Sequence, residues 1–97
     1  MEHSLKLLLA KLRPRETKEL VADHVKELGV DQDARIVTLL VNKRYAFNAI
    51  TCHDHIEQVI RGVKKAFGEN YKTVIQLEIA QYPGEREKAL PHAIHYQ

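Results

Sequence analysis

The chain has 97 residues, of which 44% are hydrophobic and 29% charged, and a formal net charge of +2. That length holds one domain, and the balance of residue types is that of a folded globule rather than a disordered chain. So small a net charge excludes bulk attraction to nucleic acid, and any such affinity has to come from local clusters of Lys and Arg. The single cysteine, Cys52, forms no internal disulfide and gives no sign of an oxidising compartment. The opening stretch, MEHSLKLLLAKLR, has too short an apolar run for a signal peptide or a membrane span. A cytoplasmic protein with no membrane partner is expected.

In chain order, Leu5, Leu8, Leu9 and Leu12 recur at helical spacing and predict a helix from Ser4, as N-cap, to about Leu12. Leu7 lies off that stripe and is the one hint of an exposed apolar side. Pro14 ends this helix and opens a second, from Arg15 to about Asp23, with Leu20 and Val21 inward. The next segment has two readings. VADHVKELGV continues the helix to Leu28 with Gly29 as its cap, or HVKELGV is a strand that turns through Asp31-Gln32-Asp33 into RIVTLLV. Local propensity favours the helix.

RIVTLLV is dense in β-branched and aliphatic residues and reads as a central strand covered on both faces. Asn42 to Ile50 reads as a short helix with Ala46, Phe47 and Ile50 inward. Thr51 and Asp54 have the spacing of a capping box and mark a fresh helix start. The stripe Ile56, Val59, Ile60, Val63 and Phe67 is the clearest in the chain, and Gly68 closes it. TVIQLEI alternates, with Thr73, Ile75, Leu77 and Ile79 on one face of a half-buried strand. Beyond Ala80 the periodicity dissolves, and residues 81–97 are expected to be a loosely held tail. The fold class is therefore α+β: two N-terminal helices, a small sheet of two or three strands, and a long helix packed across it, all within residues 1–80.

Cys52, His53, Asp54 and His55 are all of metal-ligating type. Adjacent side chains on a helix diverge by about 100°, whereas zinc ligands must converge. His92 and His95 would add ligands only if the tail folded back. A Cys52–His nucleophile pair lacks the second base and glycine-rich loop of an acyl-transfer site. The expectation is a chain with no cofactor, no metal and no catalytic residue.

The sextet Asn42-Lys43-Arg44-Tyr45-Ala46-Phe47 carries more. Two cations beside two aromatics can grip a phosphate backbone while stacking a base. The same types suit a protein interface, where Tyr, Phe and Arg are enriched. On the long helix Arg61, Lys64 and Lys65 fall opposite the apolar stripe, and they form a patch only if the fold brings them to Lys43 and Arg44. A K-homology RNA clamp needs a GxxG loop. The glycines here stand alone at 29, 62, 68 and 84.

Taken together, LKLLLAKLRPRETKELV, RIVTLLVNKRYAFNAI, HIEQVIRGVKKAFG and TVIQLEI resemble, over residues 4–80, the N-terminal domain of the bacterial replication initiator DnaA. The helicase-loader family DciA is similar through RIVTLLVNKRYAFNAI. The DnaA domain is K-homology-like without the GxxG loop, and its order is two short helices, a strand pair, an Asn-Arg-aromatic junction, a long helix and a final strand. The resemblance implies that HVKELGV is a strand. It also implies an interaction domain that contacts the replicative helicase or a replication adaptor protein, with at most weak affinity for single-stranded DNA. The aromatic helicase contact would fall on Tyr45 beside Arg44, and an acidic contact on Glu16 or Glu19. The chain departs from the family in that the tryptophan common in the family's second helix is absent. The binding candidates are thus Lys43, Arg44, Tyr45, Glu16, Glu19, Arg61 and Lys65. The competing expectation is a K-homology-like module that binds RNA or the ribosome.

Overall fold

The computed structural model describes residues 2–78 and 92–96. Its leucine stripe forms α1 (Glu2–Lys11), with Leu8 and Leu12 fully buried and Leu5 and Leu9 packed against the same core. Ser4 lies inside this helix rather than capping it. Pro14 is the N-cap of α2 (Arg15–His24), where its missing N–H costs nothing. Thr17 and Val21 are the buried residues of α2.

The helix then stops, against local propensity. Val25–Asp31 is β1, an antiparallel partner of β2 (Ile36–Val41), so Gly29 sits in a strand and caps nothing. Six ladder positions of β-branched and aliphatic β2 are paired, which outweighs the modest helix preference of Lys, Glu and Leu in β1. The turn between them is fastened by the Asp31 side chain, whose Oδ1 accepts the Ala34 N–H at 3.0 Å.

Two helices carry the chain from β2 to its other neighbour. α3 (Arg44–Ile50) buries Ala46, Phe47 and Ile50, as expected. Thr51 ends α3 rather than starting the next helix, because its hydroxyl donates to the Phe47 carbonyl at 2.8 Å. Cys52 is the N-cap of α4 (His53–Phe67) and makes no side-chain cap bond, so the capping box does not form. Gly68 closes α4 with φ of 145°, a conformation that L side chains rarely adopt. β3 (Lys72–Leu77) then runs parallel to β2.

The α+β class and the element order expected from sequence both hold, with one strand more. β4 (His92–Tyr96) lies within the segment expected to be a tail and pairs antiparallel with β3, which gives a four-stranded sheet of order β1-β2-β3-β4. Ile79 and most of the remaining tail residues lie outside the described residues.

The register divides the sheet into two unlike faces. Leu28, Val37, Leu39, Val41, Ile75 and Leu77 join the helices in one apolar core. Ile36, Thr38 and Leu40 point the other way and are half-buried, and Val74, beside Thr38 on that second face, is buried. The sequence hides this alternation because Ile36 and Leu40 are apolar on the less buried side.

On the core side Thr73 is 1% exposed, and among the described residues its hydroxyl has no hydrogen-bond partner. A buried hydroxyl left unpaired costs about 1–3 kcal/mol. Thr73→Val is therefore expected to stabilise the protein by about 1 kcal/mol, which a thermal melt would read as a rise of roughly 4–8 °C. A fall in melting temperature would mean that the hydroxyl has found a partner.

Candidate interaction site

β2 and β3 end side by side, Val41 opposite Leu77, and the chain leaves this edge through Asn42 and Lys43 into α3. The Glu78 N–H donates to the Val41 carbonyl at 2.8 Å and holds the exit strand fixed. Lys43 is the extended N-cap residue of α3, and Phe47 donates its N–H back to the Lys43 carbonyl at 3.0 Å. α3 is thus anchored by its buried side, and Arg44 and Tyr45 are left on the outer one.

Tyr45 is 59% exposed, an uncommon state for a large apolar side chain on a short, well-anchored helix. It is nonetheless held in place. The His24 ring at the end of α2 meets it edge-on, with centroids 5.3 Å apart and planes at 84°. The Lys43 ammonium lies 5.7 Å from the Tyr45 ring centroid, within cation–π range. Sequence reasoning missed His24. The only signal was its place at the disputed helix–strand boundary, and 21 residues of separation from Tyr45 hide the contact.

The other candidates do not converge here. Glu19 pairs with Arg15 at 3.1 Å, both exposed, and lines a shallow groove with Leu12, Arg13, Lys18 and Ala22. Glu16 is exposed in the first turn of α2, about 12 Å of helix before His24. Arg61 and Lys65 are exposed on α4, which runs away from α3 towards the opposite end of the parallel pair, where Ile36 meets Lys72. They sit about 12 and 18 Å along α4 from its start. Among the described residues the fold therefore puts them on a different helix from Arg44, towards the other end of the strand pair.

The Cys-His-Asp-His run is pulled apart as helical geometry requires. Cys52 and His53 are exposed, and His53 lies 3.7 Å from Glu57 on its own helix. His55 turns inward and shares a hydrogen bond of 2.9 Å with the buried Thr17 hydroxyl, tying α4 to α2. Among the described residues no three His, Cys, Asp or Glu side chains are placed to hold a metal. None of the helices among these residues is long and apolar enough to cross a membrane.

The chain matches no family model, no curated protein and no solved structure.

Proposed function

We propose that this protein is a non-enzymatic interaction domain that docks a partner protein through Tyr45, Arg44 and Lys43. One observation carries the reading: a tyrosine left largely exposed yet fixed by His24 and Lys43, on a helix whose other side is core. An aromatic already restrained in the free protein loses little entropy on binding, which is the property of an interface anchor. The resemblance of the sequence to replication-initiator and helicase-loader domains makes the replicative helicase, or an adaptor that bridges to it, the first partner to try. Glu16 and Glu19 then form a separate surface on α2, away from the Tyr45 anchor.

The second reading, a K-homology-like nucleic-acid module, finds support in the same cations. It is disfavoured by the gap between Lys43–Arg44 and Arg61–Lys65, since a phosphate backbone is held by a track of cations.

Titration calorimetry with a purified replicative helicase would test the proposal. Arg44→Ala/Tyr45→Ala is expected to weaken binding about 100-fold, as for two anchor residues, while the melting temperature stays unchanged. Fluorescence anisotropy with labelled single-stranded DNA and RNA is the counter-test. Binding that collapses between low and moderate salt, and disappears in the double variant, would replace this reading with the nucleic-acid one.

A further inference from the structure

Two cations and an amide accompany Tyr45 on α3 and just before it, while the exposed carboxylates of Glu78, beside Val41, and Asp23, beside His24, stand at the margins. Lys43 and Arg44 flank it in sequence, and Asn48, one helical turn beyond Arg44, is exposed on the same short helix. The first turn of α3 contains no acidic residue. Among the described residues Lys43 and Arg44 have no carboxylate partner; the two ion pairs there are Arg15–Glu19 and His53–Glu57, both elsewhere. The exposed Lys43 instead has its ammonium 5.7 Å from the tyrosine ring centroid, within cation–π reach. Two cations with no carboxylate partner among the described residues, and an amide, beside a largely exposed ring match a partner with acidic side chains next to an apolar one.

We infer that the partner segment docking at Tyr45 is an acidic peptide, with Asp or Glu side chains meeting Arg44 and Lys43 and an apolar side chain seated on the Tyr45 ring. This rests on the reading of the protein as an interaction domain. Arg44 is the specificity-determining cation, since its planar guanidinium engages a carboxylate in two parallel hydrogen bonds. Lys43 supplies a second, less directional charge.

The test uses the full chain, isotopically labelled, titrated with a synthetic peptide of alternating Glu and Leu and with its Gln-for-Glu counterpart. The acidic peptide is expected to move the amide resonances of residues 43–48 and of His24. The Gln peptide is expected to bind about tenfold more weakly or worse, and Arg44→Glu to weaken the acidic peptide about tenfold. A rise from about 50 to about 300 mM salt should weaken it further. The Arg44→Glu spectrum must remain dispersed, and Tyr45→Ala gives a charge-neutral check on the same site. Equal binding of both peptides at residues 43–48 would overturn the acidic partner and leave the interface standing. Shifts confined to Arg13, Arg15 and Lys18 would overturn it by moving the acid to another patch. Single-stranded DNA moving residues 43–48 where the acidic peptide does not would overturn it in favour of nucleic acid. If neither peptide nor DNA moves these resonances, both the acidic partner and the Tyr45 interface fall.

Discussion

Phe47→Ala is expected to remove about 3–5 kcal/mol of stability, the range for emptying a phenylalanine site in a core. Phe47 is 7% exposed and lies in the main apolar cluster, between Ala46 and Ile50 on the inner side of α3. Its ring is the largest side chain holding this seven-residue helix to the rest of the protein. A domain of this size has about 5–15 kcal/mol in total, so the loss is a large share of it. A thermal melt followed by circular dichroism should show a fall of roughly 12–40 °C. The same variant should bind its partner poorly even where it is still folded, because the helix that presents Tyr45 has lost its anchor. Two residues earlier, Tyr45→Ala should leave stability within about 0.5 kcal/mol of wild type, as exposed substitutions do. A melting shift for Phe47→Ala no larger than that for Tyr45→Ala would place Phe47 at the margin of the core.

Gly62→Val should cost about 3 kcal/mol, the upper end for overpacking. Gly62 sits among the buried residues of α4, where glycine is otherwise a poor helix former. Its use here is closeness. A Cβ at this position would stand 2.6 Å from Leu12 Cδ2 and 3.3 Å from Leu8 Cδ1, so the missing side chain is what lets α1 lie against α4. Alanine would gain up to about 1 kcal/mol of helix propensity and ask only a leucine methyl to shift. Valine adds two more methyl groups where neither Leu8 nor Leu12 has room. Urea denaturation of the two variants separates these effects, with Gly62→Ala near wild type and Gly62→Val far below it. Equal stabilities would mean that α1 can slide outward at little cost.

Much of this architecture was legible in the residues. Stripes at helical spacing gave α1, α2, α3 and α4 because burial of one face is set by period alone, and the buried leucines and valines fell where the period put them. The inward set of α3 was readable for the same reason. The exposure of Tyr45 was not readable, since the sextet suits a half-buried tyrosine as well as an exposed one.

Pairing decided the rest. Val25–Asp31 has the local preference of a helix and becomes a strand only because β2 offers a ladder, a long-range partner that no window of sequence contains. β4 likewise exists through β3, and its short sequence carries no period strong enough to announce it. Thr17 and His55, 38 positions apart, meet because α2 and α4 cross, which turns a residue of apparent metal-binding type into an internal tie.

Period and chemical type, both properties of the chain alone, settle which residues are buried along each helix and which side chains could recognise a partner. Which of those side chains share a surface is settled by packing. The fold joins His24, Lys43 and Tyr45 at one end of the parallel strand pair and sends Arg61 and Lys65 towards the other, because α4 must run back along the sheet to start β3 beside β2.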